Sequence, residues 1–460
     1  MLGVLFNCWA LFLGLGLIML GNGLQATLIG VRASIEGFGT SVTGLVMSGY
    51  FLGLIAGCQI VPKMVGRVGH VRTFGALASL ASTSILVQAV FVSPFVWWLM
   101  RFVTGCAYAG IFIVAESWIN EAADNSSRGK LLSFYMLVTL GGLAGGQMLL
   151  NLSPPSGFQL FVLVSLLISI AVIPILLSTA RVPQFDVLEN ISILQLYRVS
   201  PLGVFGMFVN GLSIGAFFGM GAVYAADIGL SVKDISLFMG SLILGGFLFQ
   251  YPLGWLSDTF GPIKVILFSS MAGALVSFGA MYYAHDGLEM YIIAATVGGL
   301  VMPLYALCSV HTNNYLTSTQ MVAASGTLVL LSAIGAAIGS PLTAFAMDIF
   351  GSKAFYGSIG TMMTIIGGFA VWRYPQRNDV ELDEQGDFVV MVASPLTASL
   401  NTDVELDEIE AAGEEDAEDI VTSFEELVSD LELAVEEAAE EAAAAEEEEE
   451  EEEEDSEQEK

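Results

Sequence analysis

Twelve separate stretches of about twenty apolar residues run through this sequence, and such a chain has lipid as its natural solvent. A helix rising 1.5 Å per residue needs roughly 20 residues to cross about 30 Å of hydrocarbon. Stretches of that length lie near residues 4–28, 41–62, 73–93, 95–118, 131–150 and 158–179. After the polar segment Arg181 to Ser200 come six more, near 202–225, 235–256, 264–284, 290–310, 321–345 and 355–374. In hydrocarbon every backbone N–H and C=O needs an internal partner, so segments of this kind are helices. The first stretch has no basic leader and no clear small-residue cleavage site, and is read as a retained span. The expected architecture is an all-α membrane protein of twelve transmembrane helices in two six-helix units, 1–180 and 201–374. A linker, 181–200, joins the units, and a tail occupies 375–460.

Charge separates body from tail. Only 13% of residues are charged, against about a quarter in soluble proteins. The net charge of −32 is nonetheless uneven: residues 1–374 carry 13 basic and 12 acidic side chains, residues 375–460 carry 2 and 35. The acidity therefore says nothing about what the body handles. Lys63, Arg67, Arg72, Arg128, Lys130, Arg181, Arg198, Lys264, Arg373 and, just past the body, Arg377 fall on one side of the predicted topology. Only Arg32, Lys233 and Lys353 fall on the other. By the positive-inside bias, both termini are cytoplasmic, in a multi-pass protein of the inner (plasma) membrane.

The two sets of six echo one another. Asn22-Gly23-Leu24 recurs as Asn210-Gly211-Leu212, Gly53 matches Gly245, Gly69 matches Gly261, and Gly141 and Gly145 match Gly335 and Gly339, at offsets of 188 to 194. Their common order predicts a duplicated unit, with Asn22 and Asn210 facing each other across a central site.

Four motifs, one of them in two copies, carry a resemblance. Gly254-Trp255-Leu256-Ser257-Asp258-Thr259-Phe260-Gly261-Pro262-Ile263-Lys264, between stretches eight and nine, resembles the signature loop of the major facilitator superfamily. The first-half copy, Pro62 to Arg72, keeps Arg67, Gly69 and Arg72 but has Gly66 in place of the family's Asp. Arg101-Phe102-Val103-Thr104-Gly105 resembles the family's Arg-x-x-x-Gly signature in the fourth helix. Gly141 to Gln147 resembles the antiporter signature, with Gly146 where that signature has proline. The run from Glu116 to Lys130 resembles a bacterial branch of unassigned substrate. The resemblance implies a secondary transporter working by alternating access, with Asp258, Arg67 and Arg72 at an inner gate. The bare residues also fit ordinary tight turns between helices.

Polar residues inside apolar spans mark the expected path. Asn22, Gln25, Arg101, Asn210 and Gln250 are the candidates, with interhelical hydrogen bonding as the alternative for each. Arg101 faces either a cavity or the outer interface, since a charge at the bilayer centre costs roughly 2.5–3.5 kcal/mol. Glu116 has two readings: an acceptor for the loop after its helix or for Arg128 or Lys130, or a protonatable coupling group. Such a pocket suits a small, modestly polar or amphipathic solute and protons as the coupling ion.

No nucleotide loop, metal-spaced His/Cys set or catalytic cluster is present, so neither enzyme activity, cofactor, metal nor nucleic-acid partner is expected. In the tail, Ile420, Phe424, Leu427, Val428, Leu431 and Val435 form a helical stripe over 419–436, before a self-repelling Glu block. A solvating tail and a dock for a soluble protein are both open readings. The rival function is a transporter-fold sensor or scaffold acting through that tail.

Overall fold

The computed structural model describes residues 9–122, 128–176, 191–283 and 287–374. The acidic tail with its 419–436 stripe, Arg181, and the side chains of Arg128 and Lys130 lie outside this description. Twelve helices among the described residues are long and apolar enough to cross a membrane. They are α1 (Trp9–Ile35), α2 (Thr40–Val68), α3 (His70–Val90), α4 (Pro94–Ala122), α5 (Arg128–Met148) and α6 (Gln159–Leu176). Then follow α7 (Pro201–Asp227), α8 (Val232–Phe260), α9 (Pro262–Tyr283), α10 (Leu288–Asn313), α11 (Ser318–Phe350) and α12 (Ala354–Arg373). The linker holds a short helix, Ile193–Val199, started by a capping box in which Ser192 and Gln195 satisfy each other's backbone N–H groups.

The same pairings recur in both sets of six. α2 packs on α4 as α8 packs on α10, α1 on α5 and α6 as α7 on α11 and α12, and α3 on α6 as α9 on α12. Backbones approach closely at these crossings, where a methyl group has no room. A Cβ on Gly53 would meet the Phe102 carbonyl, and one on Gly245 the Ala295 carbonyl; Gly105 faces Tyr50 as Gly298 faces Leu242.

These crossings correct the repeat register. Gly23 lies on the Leu143 carbonyl and Gly215 on that of Ala336, while Gly146 lies on Leu20 and Gly339 on Leu212. Every matched pair is then 192 or 193 residues apart. The counterpart of Gly339 is Gly146, not Gly145, and Gly141 has nothing within 4 Å. The counterpart of Asn22 is Ile214, one helical turn beyond Asn210. The repeated Asn-Gly-Leu string is therefore a coincidence one turn out of register.

The turns between α2 and α3 and between α8 and α9 are matched in conformation. Gly69 and Gly261 close them at φ 84° and 87°, a left-handed backbone that favours glycine.

Candidate functional site

Two ends of the bundle follow from the topology. The distal end is where α1 meets α2, α5 meets α6, α7 meets α8 and α11 meets α12; the proximal end is the opposite one. Between them lies a cavity of about 1090 Å³, its open mouth included. Asn22 and Ala26 of α1, Tyr50, Phe51 and Leu54 of α2, Arg101 and Phe112 of α4, and Thr139, Leu140 and Leu143 of α5 form one wall. Ile214 and Phe218 of α7, Gln250 of α8, Met302 and Tyr305 of α10, and Ser332 of α11 form the other. At the corrected offset, Asn22 pairs with Ile214, Ala26 with Phe218, Phe112 with Tyr305 and Thr139 with Ser332. The cavity thus sits on the pseudo-symmetry axis and takes matched positions from each half.

Of the five path residues read from the sequence, Asn22, Arg101 and Gln250 meet on this cavity. Arg101 is 4% exposed, so it does not reach to the distal interface. Its guanidinium carbon lies 4.6 Å from the centre of the Tyr50 ring, a cation–π contact, and the Tyr50 hydroxyl is hydrogen-bonded by Asn22.

Asn210 and Gln250 sit on facing helices but do different things. Asn210 is fully buried and outside the cavity wall. With its amide oriented by its partners, it donates to the Val301 carbonyl at 3.0 Å and accepts the Tyr305 backbone N–H at 3.3 Å. Those two groups are an i, i+4 backbone pair that α10 interrupts beside Pro303. Asn210 fills the interruption in place of the helical hydrogen bond, so it holds a broken helix together. Gln25 is also fully buried and outside the wall, and neither polar atom of its amide has a hydrogen-bond partner. The sequence offers Asn210 and Gln25 as path residues; the packing places both in the surrounding protein.

Glu116 is fully buried between α4 and α5. Its Oε1 accepts the hydroxyl of Tyr135, a side chain of α5, at 2.8 Å; the loop after α4 lies outside the described residues. Next to it, Ser117 Oγ and His70 Nε2 are 3.1 Å apart, linking α4 to the start of α3. His70, the first residue of α3, is buried. At the proximal face, Arg67 and Arg72 flank the Gly69 turn and Asp258 occupies the last turn of α8, all three exposed.

Several contacts join the two halves toward the distal end. Asp348 of α11 accepts the Ser41 backbone N–H at 3.0 Å and also the Ser41 hydroxyl. Gly30 of α1 packs on Ala222 and Val223 of α7. Asn151, after α5, donates to Ser236 Oγ of α8 at 2.8 Å, and the Met148 methyl group lies against Gly240. These contacts join the two halves on the distal side of the cavity. Nothing in the sequence motifs points to Ser41, Asp348 or Asn151, because each is a common helix-end residue.

The profile of the Major Facilitator Superfamily matches residues 203–403. An uncharacterized MFS-type transporter, YcaD of Escherichia fergusonii, is 25% identical over 354 residues, covering 76% of this chain and 92% of that one. Among solved structures, nucleoside transporter NupG superposes with a TM-score of 0.65 at 12% identity, over 80% of this chain and 99% of that one. A bacterial homologue of the human lysosomal transporter Spinster, in an inward-facing and unoccupied conformation, superposes with a TM-score of 0.60 at 15% identity, over 80% and 95%.

Proposed function

We propose that the chain is a member of the major facilitator superfamily, whose profile matches its second half, and a multi-pass membrane transporter that carries a small solute across the inner (plasma) membrane by alternating access. The observation that carries this reading is the cavity. It is lined at matched positions by both halves and separated from one face by contacts that exist only between the halves. Rocking the halves about that cavity would break the distal contacts and bring the proximal ends together. In this reading the basic residues face the cytoplasm, distal means outside, and the halves are closed on the outer side.

In this reading Asn22, Arg101 and Gln250 contact the solute, while Asn210 and Gln25 support the helices around it. Asp258, Arg67 and Arg72 form the inner gate. All three are exposed at the proximal face, and they approach the opposite half when the inner face closes. Glu116 is the coupling group: a buried carboxyl hydrogen-bonded to a tyrosine is held where loss or gain of one proton changes the packing of α4 on α5.

Uptake into proteoliposomes tests this. The full chain should accumulate a solute when an inward proton gradient is imposed and lose that accumulation when the gradient is collapsed. In Glu116→Gln, solute exchange should persist while gradient-driven accumulation disappears. Undiminished gradient-driven accumulation in Glu116→Gln removes Glu116 from coupling, and absence of any solute movement across a broad metabolite panel removes transport itself.

A further inference from the structure

The cavity carries one feature that a neutral solute would leave unexplained. Arg101 is the one charged side chain lining it among the described residues, and no carboxylate lines it with Arg101. Two of its three guanidinium nitrogens, Nε and Nη1, are buried with no hydrogen-bond partner. The ionisable groups close enough to act on its charge are Tyr50 and Tyr108, both neutral hydroxyls at physiological pH. Glu116 lies fifteen residues further along α4, about 22 Å of helix, and cannot neutralise it. The Tyr50 ring covers the guanidinium, but a ring face satisfies no N–H donor. Buried charges in folded proteins are paired, and this one is left for something that enters the cavity.

The repeat makes the charge one-sided. At the corrected offset of 193, the counterpart of Arg101 is Ala294, a fully buried small residue. The second half instead contributes Gln250, 5% exposed, whose Oε1 has no partner either. The rest of the wall is apolar, led by Phe51, Leu54, Leu140, Leu143 and Phe218.

Resting on the reading of this cavity as the transport site, we infer that its substrate class is a small organic monoanion, a carboxylate on a largely apolar body. The carboxylate takes the open donors of Arg101 in charge-assisted hydrogen bonds. The apolar body lies on the aromatic and aliphatic wall, and a second polar group of the solute meets the Gln250 amide from the opposite half. One cation serves one negative charge, so doubly charged phosphate esters are excluded by the second charge, which would be buried without a partner. Organic cations are excluded by Arg101 itself.

Binding to the purified full chain in detergent tests this without requiring flux. The probes are hexanoate, benzoate, phenylacetate and 4-phenylbutyrate, each against its own amide and its amine, with phenyl phosphate alongside. At least one carboxylate should bind tenfold or more tighter than the amide and amine of the same skeleton and than phenyl phosphate. Arg101→Gln should bring that carboxylate to the level of its amide, and Arg101→Lys should recover part of the difference. The comparison within one skeleton uses the wild-type chain, so it stands even if an Arg101 variant does not fold. Equal or better binding of amides or amines overturns the inference, as does carboxylate binding indifferent to Arg101→Gln, chloride saturating the site in place of every carboxylate, or no binding by any probe. Carboxylate preference in detergent with no flux in vesicles would instead sink the transport reading and leave this one. Flux of a neutral or cationic solute, and of no carboxylate, through the wild-type chain would sink this one and leave transport.

Discussion

Asp348 offers the sharpest perturbation of the distal seal. Helix α2 starts after Gly39, which has no side chain to cap the free N–H groups of its first turn. Asp348 supplies that cap from the opposite half, accepting both the backbone N–H and the hydroxyl of Ser41. A carboxylate at a helix N-terminus is also favoured by the helix dipole. Losing an N-cap acceptor costs about 0.5–2 kcal/mol, and losing the hydroxyl's hydrogen bond about 1 kcal/mol. The pair is exposed, so water screens and replaces part of this. About 1–2 kcal/mol remains, and it acts only on the state in which the halves touch. Asp348→Ala should therefore shift the balance toward distal opening by roughly 5- to 30-fold. The assay is the labelling rate of Met47→Cys by a membrane-impermeant maleimide, in a background lacking the native cysteines. Met47 is fully buried where α2 faces Gly219 of α7, so it reacts only when the seal opens. The rate should rise by that factor in Asp348→Ala and by less in Asp348→Asn, which keeps an acceptor oxygen. An unchanged rate in a well-folded Asp348→Ala protein would refute the latch.

Other consequences are equally direct. Gly146→Ala would drive a methyl group into the Leu20 backbone and should abolish monodisperse folding. Gly141→Ala meets open space and should leave the melting temperature within a degree or two; similar behaviour of the two would overturn the corrected register. Asn210→Ala strands the Val301 carbonyl at the break in α10, a loss of about 1–3 kcal/mol visible as a lower melting temperature without loss of the carboxylate-over-amide preference. In Glu116→Gln, exchange should survive while proton-driven accumulation fails.

The fold was legible because lipid permits so few solutions. Twenty-residue apolar runs must be helices, and the polar segment 181–200 splits them visibly into two sixes. The register of the repeat was not legible from strings. Asn-Gly-Leu recurs one turn out of phase, while the true equivalences are set by where glycine lets two backbones touch, as at Gly23 on Leu143 and Gly215 on Ala336. At the site, Asn22, Arg101 and Gln250 stood out as polar groups in apolar spans, but so did Asn210 and Gln25. What separates them is the rotation of each helix about its axis, and spans that are apolar all round carry no polar face to report that rotation. Thr139 and Ser332 were hidden for the opposite reason. Threonine and serine are common in membrane helices, where their hydroxyls turn back to backbone carbonyls, so only their matched places in the repeat single them out.

Counterflow in proteoliposomes tests the central claim, that the cavity between the halves is the transport path. Vesicles containing the full chain are loaded with the carboxylate that binds best and diluted into a trace of the same compound carrying a radiolabel. Wild type should concentrate label transiently, and Ser332→Trp, which fills the cavity from α11, should remain folded and show none. Counterflow undiminished by the filled cavity, or no counterflow by the wild-type protein, would contradict the account.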